Sequence, residues 1–478
     1  MAEKKIEHPT VEERASRGKE SRQKTPVSSH TGWIPASDRP DPIALLEKQN
    51  QTREQDLVPV RHGRMLVSPF AFYRGAAKIM AADLKDTPRA GLPSQLCGDA
   101  HLSNFGVFAS PERNLLFDLN DFDETLPGPF EYDVKRMSAS FTIAARNNAF
   151  TKDETRDVTL TAVRAYREAM AQFAQMRTLD IWYARLSEEQ LVEAIDLAVA
   201  SQKGKALKKA AKRMGQTARQ GLEKAHARDN LQALSKLAER VDGSYRIVGQ
   251  PPIVIPAREL ADVYGMSGDE VAHLIREQFR SYRATLQDDR RYLLEQFEVI
   301  DVARKVVGVG SVGTRAYIAL LKGRDQQDPL FLQVKEATRS VLEDHLPKSK
   351  FRQPGERVVQ GQRMMQAASD IFLGWTKGVQ DNRFLYWRQL RDMKGSAVVE
   401  VMKPRGLTFY ASACGWTLAR AHARSGDPIA IAAYLGKSTK FDVSIADFSE
   451  RYADQNEKDY QAFTDAVRTG RLEAIHGV

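Results

Sequence analysis

Cysteine is nearly absent: Cys97 and Cys414 are the only two in 478 residues. That is too few for a disulfide framework, and no CxxC pair or Cys/His cluster offers a zinc site. Histidine is scarce as well, with nine in the chain, which leaves little material for a histidine-rich metal centre. No apolar run approaches the length that crosses a bilayer. The first residues, among them Glu3, Lys4, Lys5 and Glu13, lack the apolar core of an export signal. A cytoplasmic protein with no membrane insertion is expected. No internal repeat is visible.

What is present is ordinary globular material. Hydrophobic residues make up 42% and charged residues 28%, near the average for folded domains, and the length calls for two lobes rather than one core. The net charge of +9 suits a phosphate-rich or otherwise anionic partner. It is concentrated in two places. The stretch up to about Pro40 reads as part of a flexible basic tail over residues 1–55. Lys203 to Arg228 carries Leu207, Ala211, Met214 and Ala218 at helical spacing, which puts its lysines and arginines on a solvated helix face. No aromatic residues interleave with them as stacking platforms would, so nucleic acid is the weaker expectation among partners.

Periodicity and turn residues divide the rest. Ser68 to Leu84 is helical. Two short strands, joined by a turn at Ser110 to Asn114, end in polar clusters. Tyr132 to about Lys236 is mostly helical; a proline-rich break at Gly249 to Pro256 precedes more helix, through Phe297. Strands follow over Phe297 to Val307, Arg315 to Leu321 and Leu330 to Lys335. Gln353 to Phe372 is helical, Phe384 to Leu390 is a strand, and Phe409 to Arg424 opens a helical C-terminus. These elements predict an α+β protein with a small antiparallel sheet lobe over 297–400 and a larger helical lobe over 56–296, on which residues 401–478 pack.

Two motifs carry chemistry. GDAHLSNFG, Gly98 to Gly106, holds Asp99, His101 and Asn104; NDFDE, Asn120 to Glu124, ends the next strand. Phosphoryl transfer needs an Asp to orient or deprotonate the acceptor hydroxyl, and an Asn with a second Asp to hold magnesium against the phosphates. Asp99, Asn104 and Asp121 fit these roles. Asp118 and Asp123 are further candidates for metal, Asp121 being favoured because it precedes Phe122. His101 is either a second catalytic group or a hydrogen-bonding part of the loop. The bland alternative for any one of these acids is a turn former or helix cap.

The second signal is GVGSVGTR, with Gly308, Gly310, Ser311 and Gly313, followed on the next strand by Lys335. Glycines joining two strands suit a hairpin that covers phosphates, and a lysine beyond them suits a contact to the nucleotide. Glu356, or in competition Glu343, would orient that lysine from a following helix.

These motifs resemble the aminoglycoside and choline kinase branch of the protein-kinase-like superfamily, whose loop reads roughly His-Gly-Asp-x-His-x-x-Asn and whose metal segment reads Asp-Phe-(Asp/Gly). The likeness extends to Gly128, Pro129, Tyr132 and Asp133. Cys97 departs from it, standing where that branch has its first His. The resemblance implies ATP and Mg2+ as cofactors and an acceptor hydroxyl on a small molecule or protein. The order is reversed, however, with the catalytic loop before the glycine hairpin, which implies a circularly permuted chain. The helix carrying Leu418, Ala419 and His422 resembles the one that precedes the loop in that branch and would close the circle, a place that Ser68 to Leu84 could also fill.

The landmarks SPFAFYRG, GDAHLSNFG, NDFDE, GVGSVGTR, LQVKEA, RQLRDMKGS and ARAHARSGD are also similar to an uncharacterised bacterial family, domain of unknown function 2252. Arg74, Arg388, Arg391 and Lys394 fall within them, as ion-pairing residues or as contacts to an anion. Three other readings stand beside the kinase-like one. They are a non-catalytic nucleotide- or nucleic-acid-binding module, transfer of AMP on the same fold, and, more weakly, a metallophosphoesterase built on Asp99 and His101.

Overall fold

A computed structural model describes residues 7–200, 205–259, 267–306, 308–378, 383–390 and 392–477. The chain opens with helices α1 (Val11–Lys24), α2 (Pro42–Asn50), α3 (Val58–Met65), α4 (Pro69–Gly75) and α5 (Ala77–Leu84). Strands β1 (Pro93–Leu96), β2 (Phe105–Ala109), β3 (Leu115–Leu119) and β4 (Leu126–Pro129) follow. Next come α6 (Phe130–Asn147), α7 (Lys152–Phe173), α8 (Thr178–Tyr183), β5 (Leu186–Ser187), α9 (Glu188–Ala200), α10 (Lys205–His226) and α11 (Asn230–Leu237). No helix among the described residues is long and apolar enough to cross a membrane.

The principal sheet is built from β8 (Val254–Pro256), β9 (Glu298–Lys305), β10 (Ala316–Lys322), β11 (Pro329–Glu336), β12 (Gly374–Lys377) and β13 (Phe384–Gln389). It is antiparallel, in the order β12-β13-β11-β10-β9-β8. Alternation of side chains gives it two apolar faces. Val302, Ala319, Leu332, Val334 and Trp387 face Phe279 and Tyr282 of α12 (Gly268–Arg283), Leu286 in the turn after it, and Leu294 of α13 (Asp288–Leu294). Ala303, Ile318, Leu320 and Phe331 face α11 and Ile247 of the small β6–β7 hairpin (Ala238–Val241, Ser244–Ile247). The proline-rich break therefore contributes an edge strand, and the described residues of 229–259 and 267–296 belong with the sheet. The boundary expected at 297 moves upstream.

The largest core surrounds α6, which is buried along nearly its whole length. A helix buried all round must be wrapped on every side, and α4, α7, α15 (Pro404–Ser425) and α17 (Lys440–Arg468) do so, with α16 (Pro428–Leu435) placing Tyr434 against Phe130. Arg167 of α7 grips Asp442 of α17 at 2.8 Å inside this bundle. The basic helix α10 docks Leu222 and Ala225 onto the same core and leaves its charges outward, as its periodicity predicts.

Three expectations change. Residues 7–55 are not a tail. A Thr10/Glu13 capping box starts α1, Arg14 pairs with Asp427 at 2.9 Å, and Arg22 donates to the carbonyls of Tyr434 and Ala433 at the end of α16. The helix expected over Ser68 to Leu84 breaks at Ala76 (φ −106°, ψ 27°), where the Gly75 carbonyl is taken by Arg61 at 2.8 Å. The one expected over Gln353 to Phe372 is α14 (Pro354–Met365). It stops where Arg420 takes the Met365 carbonyl and Asp118 takes the Ala367 amide.

Arg22→Ala combined with Arg14→Ala removes the two shortest sets of charged contacts that hold α1 down, leaving Arg17 at 3.4 Å from Asp427, and each is worth roughly 1.5–3 kcal/mol when a charged group donates. Limited trypsin digestion is expected to clip residues 7–24 rapidly in the variant and slowly in the wild type, with the remaining fragment intact.

Candidate functional site

The Gly98–Gly106 loop is positioned by backbone pairing and one carboxylate. Strands β1 and β4 pair in register from Pro93↔Pro129 to Leu96↔Leu126, so the loop after β1 runs beside the acidic segment before β4. Gly98 has φ +84°, and a Cβ there would lie 2.2 Å from the Glu124 carbonyl oxygen; only glycine fits. In the first turn of α6, Asp133 accepts the amides of Cys97 at 2.6 Å and Gly98 at 3.0 Å. His422 of α15 lies 3.2 Å from the same carboxylate and 2.9 Å from the Tyr166 hydroxyl. It is the amide of residue 97 that is held. The thiol merely donates to the Asp121 carbonyl at 3.1 Å, and burial pushes its pKa far up, which excludes a nucleophile.

Asp99 emerges at the floor of a cleft with 20% of its side chain exposed. Arg136, one turn along α6 from Asp133, donates to its Oδ1 at 2.7 Å and stacks 3.8 Å over the Tyr73 ring. Burial raises the Asp99 pKa, and Arg136 opposes the rise. His101 Nε2 stands 3.8 Å from Asp99 Oδ2. Burial, with Arg136 and Arg74 nearby, keeps that ring neutral. Asn104 donates its amide Nδ2 to the Asp99 carbonyl at 2.6 Å, which leaves its Oδ1 to face the cleft.

Strand β3 delivers the acidic segment, and its three aspartates separate cleanly. Asp118 points inward, ion-paired with Arg420 where each side chain is 1% exposed, and it accepts the Ala367 amide at 2.8 Å. It is a structural residue and not a metal ligand. Asp121 and Asp123 point into the cleft. Asp123 accepts from Lys335 Nζ at 2.5 Å and from the Tyr386 hydroxyl at 2.6 Å, while Asp121 stands 3.7 Å from the same Nζ. Burial would raise both carboxyls; Lys335 and Tyr386 overcome it for Asp123, whose pKa falls, whereas Asp121, beside the Asp123 charge, rises. Burial likewise disfavours the ammonium of Lys335, yet Asp121 and Asp123 hold its pKa above the ordinary value. Arg388 donates to the Asn120 carbonyl at 2.9 Å.

The glycine loop joins β9 to β10 and lies over these acids. Gly308 and Gly313 both have positive φ, and Ser311 Oγ is 3.4 Å from Asp123 Oδ2. Its far side is pinned by residues once assigned to the tail and by the neighbouring helix. Arg53 donates to the Val312 carbonyl, the Glu54 amide to the Gly313 carbonyl at 2.8 Å, and Arg64 to the Gly308 carbonyl at 2.5 Å. Between loop and floor is a cavity of about 490 Å³. Asp99, His101, Asn104, Asp121, Asp123, Gly308, Gly310 and Ser311 line it, and Gly313 does not.

The expected acidic partner of Lys335 is corrected. Glu356 does not line the cleft, and the carboxylates beside Lys335 are Asp123 and Asp121. Glu343 caps its own turn at Ser340. The next residue of α14, Arg357, instead ties the carbonyls of Asp123, Thr125 and Thr338. Arg74 lines the cavity, and its buried Nε has no hydrogen-bond partner among the described residues. Lys394 donates to the Gln389 carbonyl at 2.9 Å outside this cavity, and Arg391 lies outside the described residues. Arg53, Arg136 and Tyr386 were missed. Only Arg136 left a trace, one helical turn after Asp133.

The donor set fits magnesium. Among the described residues, no three His, Cys, Asp or Glu side chains gather into a metal site, so no all-protein cage is present. Two carboxylates and an amide oxygen are what Mg2+ uses when substrate phosphates complete its shell.

A family model described as "Uncharacterized protein conserved in bacteria (DUF2252)" matches residues 53–466. No curated protein and no solved structure matches the chain.

Asp118→Ala strands a buried guanidinium, a change that costs about 3–5 kcal/mol. Urea denaturation is expected to show a loss of that size. Asp121→Ala, at a half-exposed position, is expected to cost far less.

Proposed function

We propose that this chain, which belongs to the DUF2252 family, is an ATP- and magnesium-dependent phosphotransferase of the protein-kinase-like type, acting on a hydroxyl group. The observation that carries the reading is the meeting of Lys335, from the sheet, with Asp121 and Asp123, from the segment after β3, within 3.7 Å at one cleft. More than two hundred residues separate them in the sequence. A second support is the contact between the end of α15 and the start of β1, where the Gln95 amide donates to Ser425 Oγ at 3.2 Å. A permuted chain needs that junction, and it favours α15 over Ser68 to Leu84 as the helix that closes the circle.

The roles follow from the geometry. Arg136 occupies Oδ1 of Asp99, so Oδ2 is left to accept the hydrogen of an acceptor hydroxyl and take its proton as the bond to phosphorus forms. Asp133, acting through the amides of Cys97 and Gly98, fixes where that carboxylate stands. Asp121, Asp123 and Asn104 would hold magnesium, which supplies charge neutralisation to the phosphates. Lys335 would add a positive charge behind Asp121 and Asp123, and the glycine loop would let backbone approach the phosphates without side chains intervening.

Isothermal titration with ATP and magnesium, alongside turnover of labelled ATP over a panel of hydroxyl compounds and proteins, separates binding from chemistry. Asp99→Asn is expected to keep nucleotide affinity and to lose turnover by about 10²–10⁴-fold. Asp121→Asn is expected to lose magnesium-dependent binding. If neither variant differs from wild type, the site is wrongly assigned.

A further inference from the structure

Helix α6 holds the Asp99 loop through Asp133 and Arg136, and between those two it carries a charged residue that the cleft does not use. Lys135 is fully buried, and its Nζ has no hydrogen-bond partner among the described residues. The Phe448 ring of α17 lies beside it, with the centroid 5.2 Å from Nζ. Glu131, one turn earlier, gives its Oε1 to the Ala90 amide at 2.6 Å, and its Oε2 reaches no donor either. Burial draws the Lys135 pKa down to about 7, although Glu131 pulls it up. A buried ammonium is costly unless something pairs with it.

Lys135 lines a cavity of about 310 Å³ that shares no residue with the cleft. Exposed Gly32, Ile34 and Ala36 stand at its mouth, and buried His30 and Lys135 at its inner end. Trp33 and Phe448, edge to face with centroids 6.1 Å apart, supply an aromatic wall. Most polar side chains around the cavity are closed on partners of their own. Arg39 pairs with Asp83 and Asp459, each at 2.6 Å. Lys85 stands 3.7 Å from Asp86. Thr87 Oγ1 donates to the Leu84 carbonyl at 2.8 Å, and Ser29 Oγ to the Pro26 carbonyl at 2.7 Å. His30 Nδ1 is different: like Lys135 Nζ, it is buried without a partner among the described residues. The other ring nitrogen, Nε2, lies 2.8 Å from the Tyr434 hydroxyl. Burial and the Lys135 charge draw the His30 pKa down to about 2, so the ring is neutral. When Nε2 accepts the Tyr434 hydrogen, the ring hydrogen is on Nδ1, which then donates.

We propose that this cavity is a second binding site, which takes a small aromatic carboxylate with its ring against Trp33 and Phe448 and its acid group toward Lys135 and His30. The two donors left without acceptors are what one carboxylate satisfies, and the ammonium gains the counter-charge that Glu131 does not provide. The volume suits a small ligand enclosed by rings. A phosphate carries more charge and gains nothing from an aromatic wall. The site stands independently of any reading of the cleft.

Isothermal titration of the full chain with phenylacetate and benzoate, beside the uncharged isostere 2-phenylacetamide and inorganic phosphate, tests this. At least one of the two acids is expected to bind saturably, and phenylacetate about tenfold or more tighter than the amide. Lys135→Met is expected to remove that preference. Gly32→Trp acts at the mouth, where a Cβ meets no atom within 4 Å, so the fold is left alone even if the lysine variant disturbs α6. It is expected to block the acid while the melting curve stays unchanged. Equal affinity for phenylacetate and the amide, or binding of phosphate alone, overturns the carboxylate assignment. Acid binding that survives Gly32→Trp places the ligand elsewhere and overturns the site, as does the absence of saturable binding by both acids.

Discussion

The carboxylate of Asp133 is the constraint on which the site depends. It is buried, it accepts two consecutive loop amides, and His422 approaches it from another helix. A carboxylate satisfied by backbone donors is strongly directional, so the loop carrying Asp99 and Asn104 has one available path. The same helix sends Arg136 to Asp99. One turn of α6 thus sets both where the acid stands and which of its oxygens is free.

The cleft is a dense arrangement of opposed charges. Lys335, Arg53, Arg74 and Arg388 face Asp99, Asp121, Asp123 and Glu124 in surroundings that penalise every unpaired ion. Burial holds the Arg53 pKa down to about 10 and lifts that of Glu124 to about 7. Such groups are worth keeping where a highly charged ligand completes the balance. Asp118 and Arg420 show the contrasting case, a buried pair closed on itself, whose task is to end α14 and join it to α15.

Much of this was legible in the sequence. Asp99, Asn104, Asp121, Asp123 and the glycines announce themselves by residue type and order, and Phe384 to Leu390 and Phe409 to Arg424 by periodicity, because those signals are local. What was hidden depends on distant partners. The apparent tail owes its helix α1 to carbonyls at the end of α16, and Arg53 owes its place to the glycine loop. The partner of Lys335 was sought on a following helix, whereas the carboxylates beside it come from far earlier in the chain. Spacing cannot separate Asp118 from Asp121, since what distinguishes them is whether Arg420 lies opposite.

The placement of His422 and Arg420 on α15 bears on how the molecule is made. Synthesis delivers Asp133 and Asp118 early and their partners 289 and 302 residues later. Until that helix emerges, Asp118 lacks its guanidinium and Asp133 has only the amides of the loop it holds. Long-range closure of this kind slows folding and leaves partly formed cores exposed. A nascent chain therefore carries the residues of its site through most of translation without possessing the site, which comes into being only as the last helices arrive.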